Sequence, residues 1–223
     1  MPRTYGQHCA LARALDRVGE RWTLLIVREL LIGPARYTDL RAALPGLATN
    51  LLAERLRALE ADGIVERRQL PPPAVTTVYA LTDLGRGLRD AVDGLIRWGG
   101  HWMAARGEGD VFRPEWLVLA VGALTSRDGA AERPLSCRLE VGEHVFTLNV
   151  ADGVAHVEVG ASSPADVALE AEPQALLAVA SGRRDLCDAI AAGEIAADGD
   201  ADAVEALGRL WAGGVTYSSA PPS

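Results

Sequence analysis

Gly33-Pro-Ala-Arg-Tyr-Thr-Asp-Leu-Arg-Ala-Ala-Leu-Pro-Gly-Leu-Ala-Thr-Asn-Leu-Leu-Ala-Glu-Arg-Leu-Arg-Ala-Leu-Glu-Ala-Asp-Gly63 is the stretch that decides the fold of the N-terminal half. Gly33-Pro34 and Pro45-Gly46 are two breaks that no helix runs through. Between them, Thr38 to Leu44 is long enough for a short helix with Thr38 as its N-cap. Beyond the second break, Thr49 caps a longer helix to Asp62, and Gly63 stops it. On a 3.6-residue wheel, Leu52, Leu56 and Leu59 share one face of that helix. Asn50, Ala53 and Arg57 lie opposite, with Thr49 and Glu54 at the margins. The leucine face needs a partner to cover it.

That partner lies upstream. Trp22 to Leu31 is apolar almost all round, as a buried central helix is. Before it, Cys9 to Val18 places Leu11, Leu15 and Val18 at the spacing of one helix face. Downstream, Ile64 to Leu70 and Val75 to Leu81 read as two strands around a stiff tip, Pro71-Pro72-Pro73, which cannot join a ladder. Thr82 or Asp83 caps a last helix towards Trp98, or on as far as Arg106. Helix, helix, turn, helix and hairpin is the order of a winged helix-turn-helix, mostly α with a β-hairpin wing. In that fold the helix after the turn enters the DNA major groove. Asn bonds adenine bidentately and Arg bonds guanine, so a face holding Asn50 and Arg57 suits base edges. A solvated surface helix carries the same residues; the order of elements favours DNA.

Five motifs recur in order: Cys9-Ala-Leu-Ala-Arg-Ala-Leu15, Gly19-Glu-Arg-Trp-Thr-Leu-Leu-Ile-Val-Arg-Glu-Leu30, Gly33-Pro-Ala-Arg-Tyr-Thr-Asp-Leu40, Leu51-Leu-Ala-Glu-Arg-Leu-Arg-Ala-Leu59 and Tyr79-Ala-Leu-Thr-Asp-Leu-Gly85. Together they resemble the HxlR family of bacterial winged-helix regulators, over roughly residues 8 to 102. The resemblance implies a homodimeric transcriptional regulator whose first and last helices form the dimer contact. Trp98 and Trp102, four apart on one face, suit either that contact or an intradomain core. Cys9 falls where many such proteins carry a cysteine, some of which sense oxidants or electrophiles through it. Sensing needs an exposed thiolate beside positive charge; Arg13, one turn on, is the candidate. Buried, inert cysteine is the plainer reading.

The remaining DNA candidates follow from position. Arg36 and Arg41 flank the helix that begins at Thr38, within reach of phosphates. Arg67 and Arg68 sit on the wing, with Thr76 and Thr77 on its return strand. Neighbouring strand residues point to opposite faces, so one of Arg67 and Arg68 suffices for DNA. Arg55 lies nearer the packed side of its helix and is expected to make an internal ion pair. The DNA-contact set is therefore Arg36, Thr38, Thr49, Asn50, Ala53, Glu54, Arg57, Arg67, Arg68, Thr76 and Thr77.

Residues 103 to 114 change character, and Arg106-Gly-Glu-Gly-Asp110 reads as a linker. We therefore expect two domains, 1–107 and 108–223. In the second, Glu115 to Thr125 is a half-buried helix. Cys137, Leu139 and Val141 alternate inward, Gly142-Glu143 turns, Phe146, Leu148 and Val150 return, and Asp152-Gly153 turns again before Ala155, Val157 and Val159. A fourth strand at Asp166–Glu172, helices at Pro173–Ser181 and Asp185–Ala192, a short strand at Glu194–Ala197 and a helix from Asp200 to Trp211 complete an α+β domain with an antiparallel sheet. The order, with Asp166-Val-Ala-Leu-Glu-Ala-Glu172, Ala175-Leu-Leu-Ala-Val-Ala-Ser-Gly182 and Gly193-Glu-Ile-Ala-Ala-Asp-Gly-Asp200, is similar to the sterol carrier protein 2 (SCP2) family over residues 112 to 212. The likeness implies an apolar tunnel for a lipid or other hydrophobic molecule. Trp116, Leu119, Phe146, Leu148, Leu177 and Trp211 are candidate contacts, or plain core.

Composition narrows the classes. Of 223 residues, 49% are hydrophobic and 23% charged, enough apolar side chain for a core. The longest apolar run, around Trp22–Val27, stops at Arg28, short of the roughly 20 residues of a membrane span. Met1 to His8 lacks the apolar stretch of a secretory signal. Three cysteines, Cys9, Cys137 and Cys187, form no CxxC pair, which fits a reducing cytoplasm. Net charge is −8, and all 22 basic residues are Arg. The two halves differ: residues 1–107 carry 15 Arg against 11 acids, a balance of +4, and residues 108–223 carry 7 against 19, a balance of −12. A polyanion would attract the first half and repel the second. His8, His101, His144 and His156 have no metal-binding spacing, and neither GxSxG nor a P-loop occurs. We expect no enzyme, cofactor or metal. The expected protein is a dimeric regulator that binds a pseudo-palindromic duplex operator and answers to a hydrophobic effector. The alternatives are a lipid-type carrier whose DNA binding is lost and a scaffold that only dimerises.

Overall fold

A computed structural model describes residues 4–71, 76–103, 109–125, 134–151, 154–160 and 164–212. The wing tip at 72–75, the Asp152-Gly153 turn and linker residues 104–108 lie outside this set. The chain divides into two compact units, Met1–Val92 and Asp93–Ser223.

The first unit opens with α1 (Ala10–Val18), α2 (Thr23–Ile32), α3 (Tyr37–Ala43) and α4 (Thr49–Ala61). Strands β1 (Val65–Leu70) and β2 (Thr76–Leu81) follow, then α5 (Asp83–Arg86) and α6 (Arg89–Gly99), which runs on into the second unit. The buried side chains include Ile26, Val27 and Leu30 of α2, Leu40 of α3 and Leu52, Leu56 and Leu59 of α4, all essentially inaccessible. Leu44 and Leu47 are buried on either side of Pro45-Gly46, where Gly46 takes the left-handed φ of +84° that a side chain resists. Ala35 bridges Tyr79 through two backbone hydrogen bonds (3.0 and 2.8 Å), which ties the wing to the start of α3.

Several local expectations are corrected. Thr38 does not cap α3. Arg36 holds that position, and the Asp39 carboxylate reaches back to accept the Arg36 N–H at 3.2 Å. Thr49 is the first helical residue of α4 rather than its cap, which is Ala48. Leu11 and Leu15 do not join Val18 in the core but are 67% and 38% exposed. The single helix expected from Asp83 to Trp98 is two, broken at Gly87-Leu88. Thr82 caps the first, its hydroxyl accepting the Gly85 N–H at 3.1 Å and donating to Gly63 O at 2.6 Å.

The second unit is α+β. Helix α7 (Leu117–Leu124) precedes β3 (Leu135–Val141), β4 (His144–Ala151), β5 (Val154–Val159) and β6 (Val167–Ala171). Helices α8 (Pro173–Ala180) and α9 (Leu186–Ala191), strand β7 (Ile195–Gly199) and α10 (Ala201–Ala212) complete it. Strand order is β5-β4-β3-β6-β7. The sheet is mixed, not antiparallel as expected, because β6 lies beside β3 and runs parallel to it. The β3–β4–β5 meander leaves one edge of β3 free. The chain returns to that edge through Asp166, whose carboxylate accepts the Ser136 N–H at 2.7 Å and whose own N–H donates to Ser136 O at 2.9 Å. Alternating residues of β3, from Leu135 to Val141, are buried as their spacing predicts.

Candidate nucleic-acid interface

Helix α4 presents its polar side outward because three leucines hold the other side. Asn50, Glu54 and Arg57 are exposed, with Thr49 at the N-terminal end. Glu54, one turn after Asn50, sits in the middle of this face rather than at its margin, and Ala53 is half-buried at the edge. Tyr37 fixes the start of the helix: its hydroxyl donates to Thr49 O at 2.8 Å. Arg36, Thr38 and Arg41 are exposed around α3. Among the described residues, the guanidiniums of Arg36, Arg41 and Arg57 make no ion pair.

The wing arginines have different surroundings. Arg67 forms a two-pronged pair with Glu60 at the end of α4 (2.8 and 3.0 Å) and lies 5.3 Å over the Tyr79 ring. That pairing holds its charge still more firmly than usual. Arg67 therefore braces the wing against α4. Among the described residues, Arg68, half-exposed, pairs only with Glu66 of its own strand. Thr77 is exposed and its hydroxyl accepts from the Gln69 amide at 3.0 Å; Thr76 is half-buried. The separation of Glu60 and Arg67 across a helix-to-strand turn gives no sequence signal for this brace. Arg55 does make the expected ion pair, with Glu20 at 3.0 Å.

Cys9 is exposed, and the amides of Ala12 and Leu11 at the open end of α1 hold its thiol below the ordinary range. Arg13 is not the cause; it lies 3.9 Å from Asp16. Burial pushes the Cys137 thiol up, and Cys187 is exposed. Of the ligand candidates, Phe146, Leu148 and Trp211 are fully buried in one cluster, with Leu177 packed against it. Leu119 is buried outside that cluster and Trp116 is half-buried. A small cavity of about 120 Å³ touches Trp211, Leu186, Val179 and Gly208. Among the described residues, no three metal-ligating side chains cluster and no helix is long and apolar enough to cross a membrane.

Residues 17–106 match the family model of the HxlR-like helix-turn-helix, and residues 124–211 that of the SCP-2 sterol transfer family. The transcriptional regulator YvaP of Bacillus subtilis is 38% identical over 91 residues, 41% of this chain and 84% of its own length. The chain belongs to the HxlR-like helix-turn-helix family. It is a transcriptional regulator of that type, with an SCP2-like second half. The likeness to Rv3095 of Mycobacterium tuberculosis, also an HTH-type transcriptional regulator, extends over 141 residues at 39% identity, covering 63% of this chain and 82% of that one. YodB of B. subtilis, a third HTH-type regulator, is 36% identical over 85 residues, 38% of this chain and 76% of its own.

Proposed function

We propose that this HxlR-like regulator binds a pseudo-palindromic duplex operator as a homodimer, with α4 in the major groove and the wing on the backbone. The exposed stripe Asn50–Glu54–Arg57, standing on three buried leucines, carries the reading. Asn50 and Arg57 supply the side chains that read adenine and guanine, while Thr49 and Ala53 border the stripe. Arg36, Thr38, Arg68, Thr76 and Thr77 position the protein on phosphates and sugars, contacts that fix register without reading sequence. The apolar residues that α1 leaves open, Leu11 and Leu15, support a second copy as partner, as does a groove of about 460 Å³ lined by Val18, Ile64 and the exposed Leu84. Domains 1–107 and 108–223 divide the work: the basic half binds DNA and the acidic half holds a hydrophobic effector, in the cytoplasm. Cys9, exposed and depressed in pKa, adds a thiol open to oxidants or electrophiles. The test is titration of the full chain against selected duplexes at several salt concentrations. Each neutralised phosphate contributes about −0.9 to the slope of log affinity on log salt, and half-sites lie about 10 base pairs apart or at a multiple of that. Failure to bind any selected duplex at low salt overturns the proposal.

The closed packing of Phe146, Leu148 and Trp211 favours a second reading of the acidic half as a scaffold without ligand. Thermal shift against a panel of hydrophobic metabolites separates the two: a scaffold gains no stability from any of them.

A further inference from the structure

We propose that Glu54 is a base-discriminating residue of α4, its carboxylate fixed by Arg55 so that it accepts a hydrogen bond from the amino group of a cytosine. The proposal rests on the DNA-binding reading above and adds a specificity to it. Arg55 leaves α4 sideways, its side chain only 14% exposed. Its guanidinium grips three acceptors: Glu20 Oε2 at 3.0 Å, Glu54 Oε1 at 2.8 Å and, more loosely, Arg21 O at 3.4 Å. Two of these belong to the corner between α1 and α2, so one side chain joins that corner to the exposed face of α4. Adjacent helix residues do not ordinarily face each other. Here Glu54 turns to Arg55 and loses the rotamer freedom of an exposed glutamate. One oxygen is taken by Arg55; the other belongs to a side chain that is 63% exposed, between Asn50 one turn before and Arg57 one turn after.

A fixed carboxylate in the major groove is selective by repulsion as much as by attraction. Guanine presents acceptors at N7 and O6, thymine presents O4, and adenine sets an acceptor N7 beside its amino group; cytosine presents its amino donor alone. Arg55 neutralises one of the two carboxylates it binds, so the trio of Glu20, Glu54 and Arg55 keeps a negative charge. That charge weakens every duplex lacking the donor, and rejection of wrong sequences is part of specificity. Arg55 touches no base in this arrangement and acts as a positioning residue.

Binding-site selection with the full chain tests this, followed by affinities for the four base pairs at each half-site position under one salt condition. Wild type is expected to prefer cytosine over thymine about tenfold at one position, within the range for single-contact readout. Glu54→Ala flattens that position alone and tightens binding to the thymine duplex. Glu54→Gln moves the preference to adenine, which an amide bonds bidentately. Arg55→Gln loses the same preference, and combining it with Glu54→Ala costs nothing further there. A merely structural Arg55 would instead weaken all four duplexes alike. Should Arg55→Gln fail to fold, Glu20→Gln removes one anchor and is expected to reduce the same preference. Unchanged base preferences in Glu54→Ala, or a uniform change at every position, overturn the proposal. A wild-type chain that selects no duplex overturns the DNA-binding reading beneath it.

Discussion

Arg67 and Arg68 are chemically alike and adjacent, yet their surroundings assign them different work. Arg68→Ala is expected to make the salt dependence of DNA binding shallower by about 0.9 per protomer, one phosphate contact. Arg67→Ala is expected to leave that slope unchanged, because Glu60 already neutralises Arg67, and to speed amide exchange in β1 as the wing loses its brace. Asn50→Ala or Arg57→Ala should cost about 1–3 kcal/mol on the cognate site and relax one base position. Gly85 presents a steric case: a Cβ there would lie 2.1 Å from Ile64 O. Gly85→Ala therefore forces backbone apart and should destabilise by about 1–3 kcal/mol in a denaturant melt. Asp16 accepts the Tyr5 N–H at 2.8 Å and the Thr4 hydroxyl at 3.0 Å, and the Tyr5 amide foremost holds its carboxyl below the ordinary range. A depressed folded-state pKa means the tether is whole above the unfolded value of about 3.9. It is lost as pH falls through the lower folded value, which a pH titration of the Tyr5 amide resonance would follow.

Elements were legible where apolar spacing repeats and obscure where single hydrogen bonds decide. Leu52, Leu56 and Leu59 announce α4 and its buried side, and truncating Leu56 to Ala should cost about 2–5 kcal/mol by cavity formation. The caps lie two residues earlier in α3 and one earlier in α4 than the threonines suggest, because residue type alone marks Thr38 and Thr49 as caps, whereas the Asp39 carboxylate, three positions in, serves α3 from within. The split of α5 from α6 is not legible in the sequence, because Gly87 differs little from a glycine tolerated inside a helix. The parallel pairing of β6 with β3 was equally hidden: alternation gives a strand its faces, but neither its neighbour nor its direction. Among the candidate residues of α4, type and spacing single out Asn50 and Arg57. The forked grip of Arg55 and the Glu60–Arg67 brace depend on elements distant in sequence and become visible only once the chain is folded.

At the scale of the molecule, charge is partitioned between a basic half and an acidic one, and any effector acts through its difference in affinity for DNA-competent and DNA-incompetent states. A ligand that alters operator affinity must have its own affinity altered equally by the operator. Titrating one in the presence of the other should give a coupling of about 1–3 kcal/mol in both directions; tight ligand binding with no coupling in either direction leaves the scaffold reading. The tryptophans also make the protein its own optical reporter. Trp98 and Trp102 stand 62% and 63% exposed, edge to face at 4.8 Å. Trp211 is sealed in, its indole N–H donating to the Thr125 hydroxyl at 3.1 Å. Iodide should therefore quench a red-shifted emission from the first pair and leave a blue-shifted emission from Trp211 intact. Loss of quenching on raising protein concentration would register association at Trp98 and Trp102, and a shift of the protected band would register a molecule entering beside Trp211, both without any label.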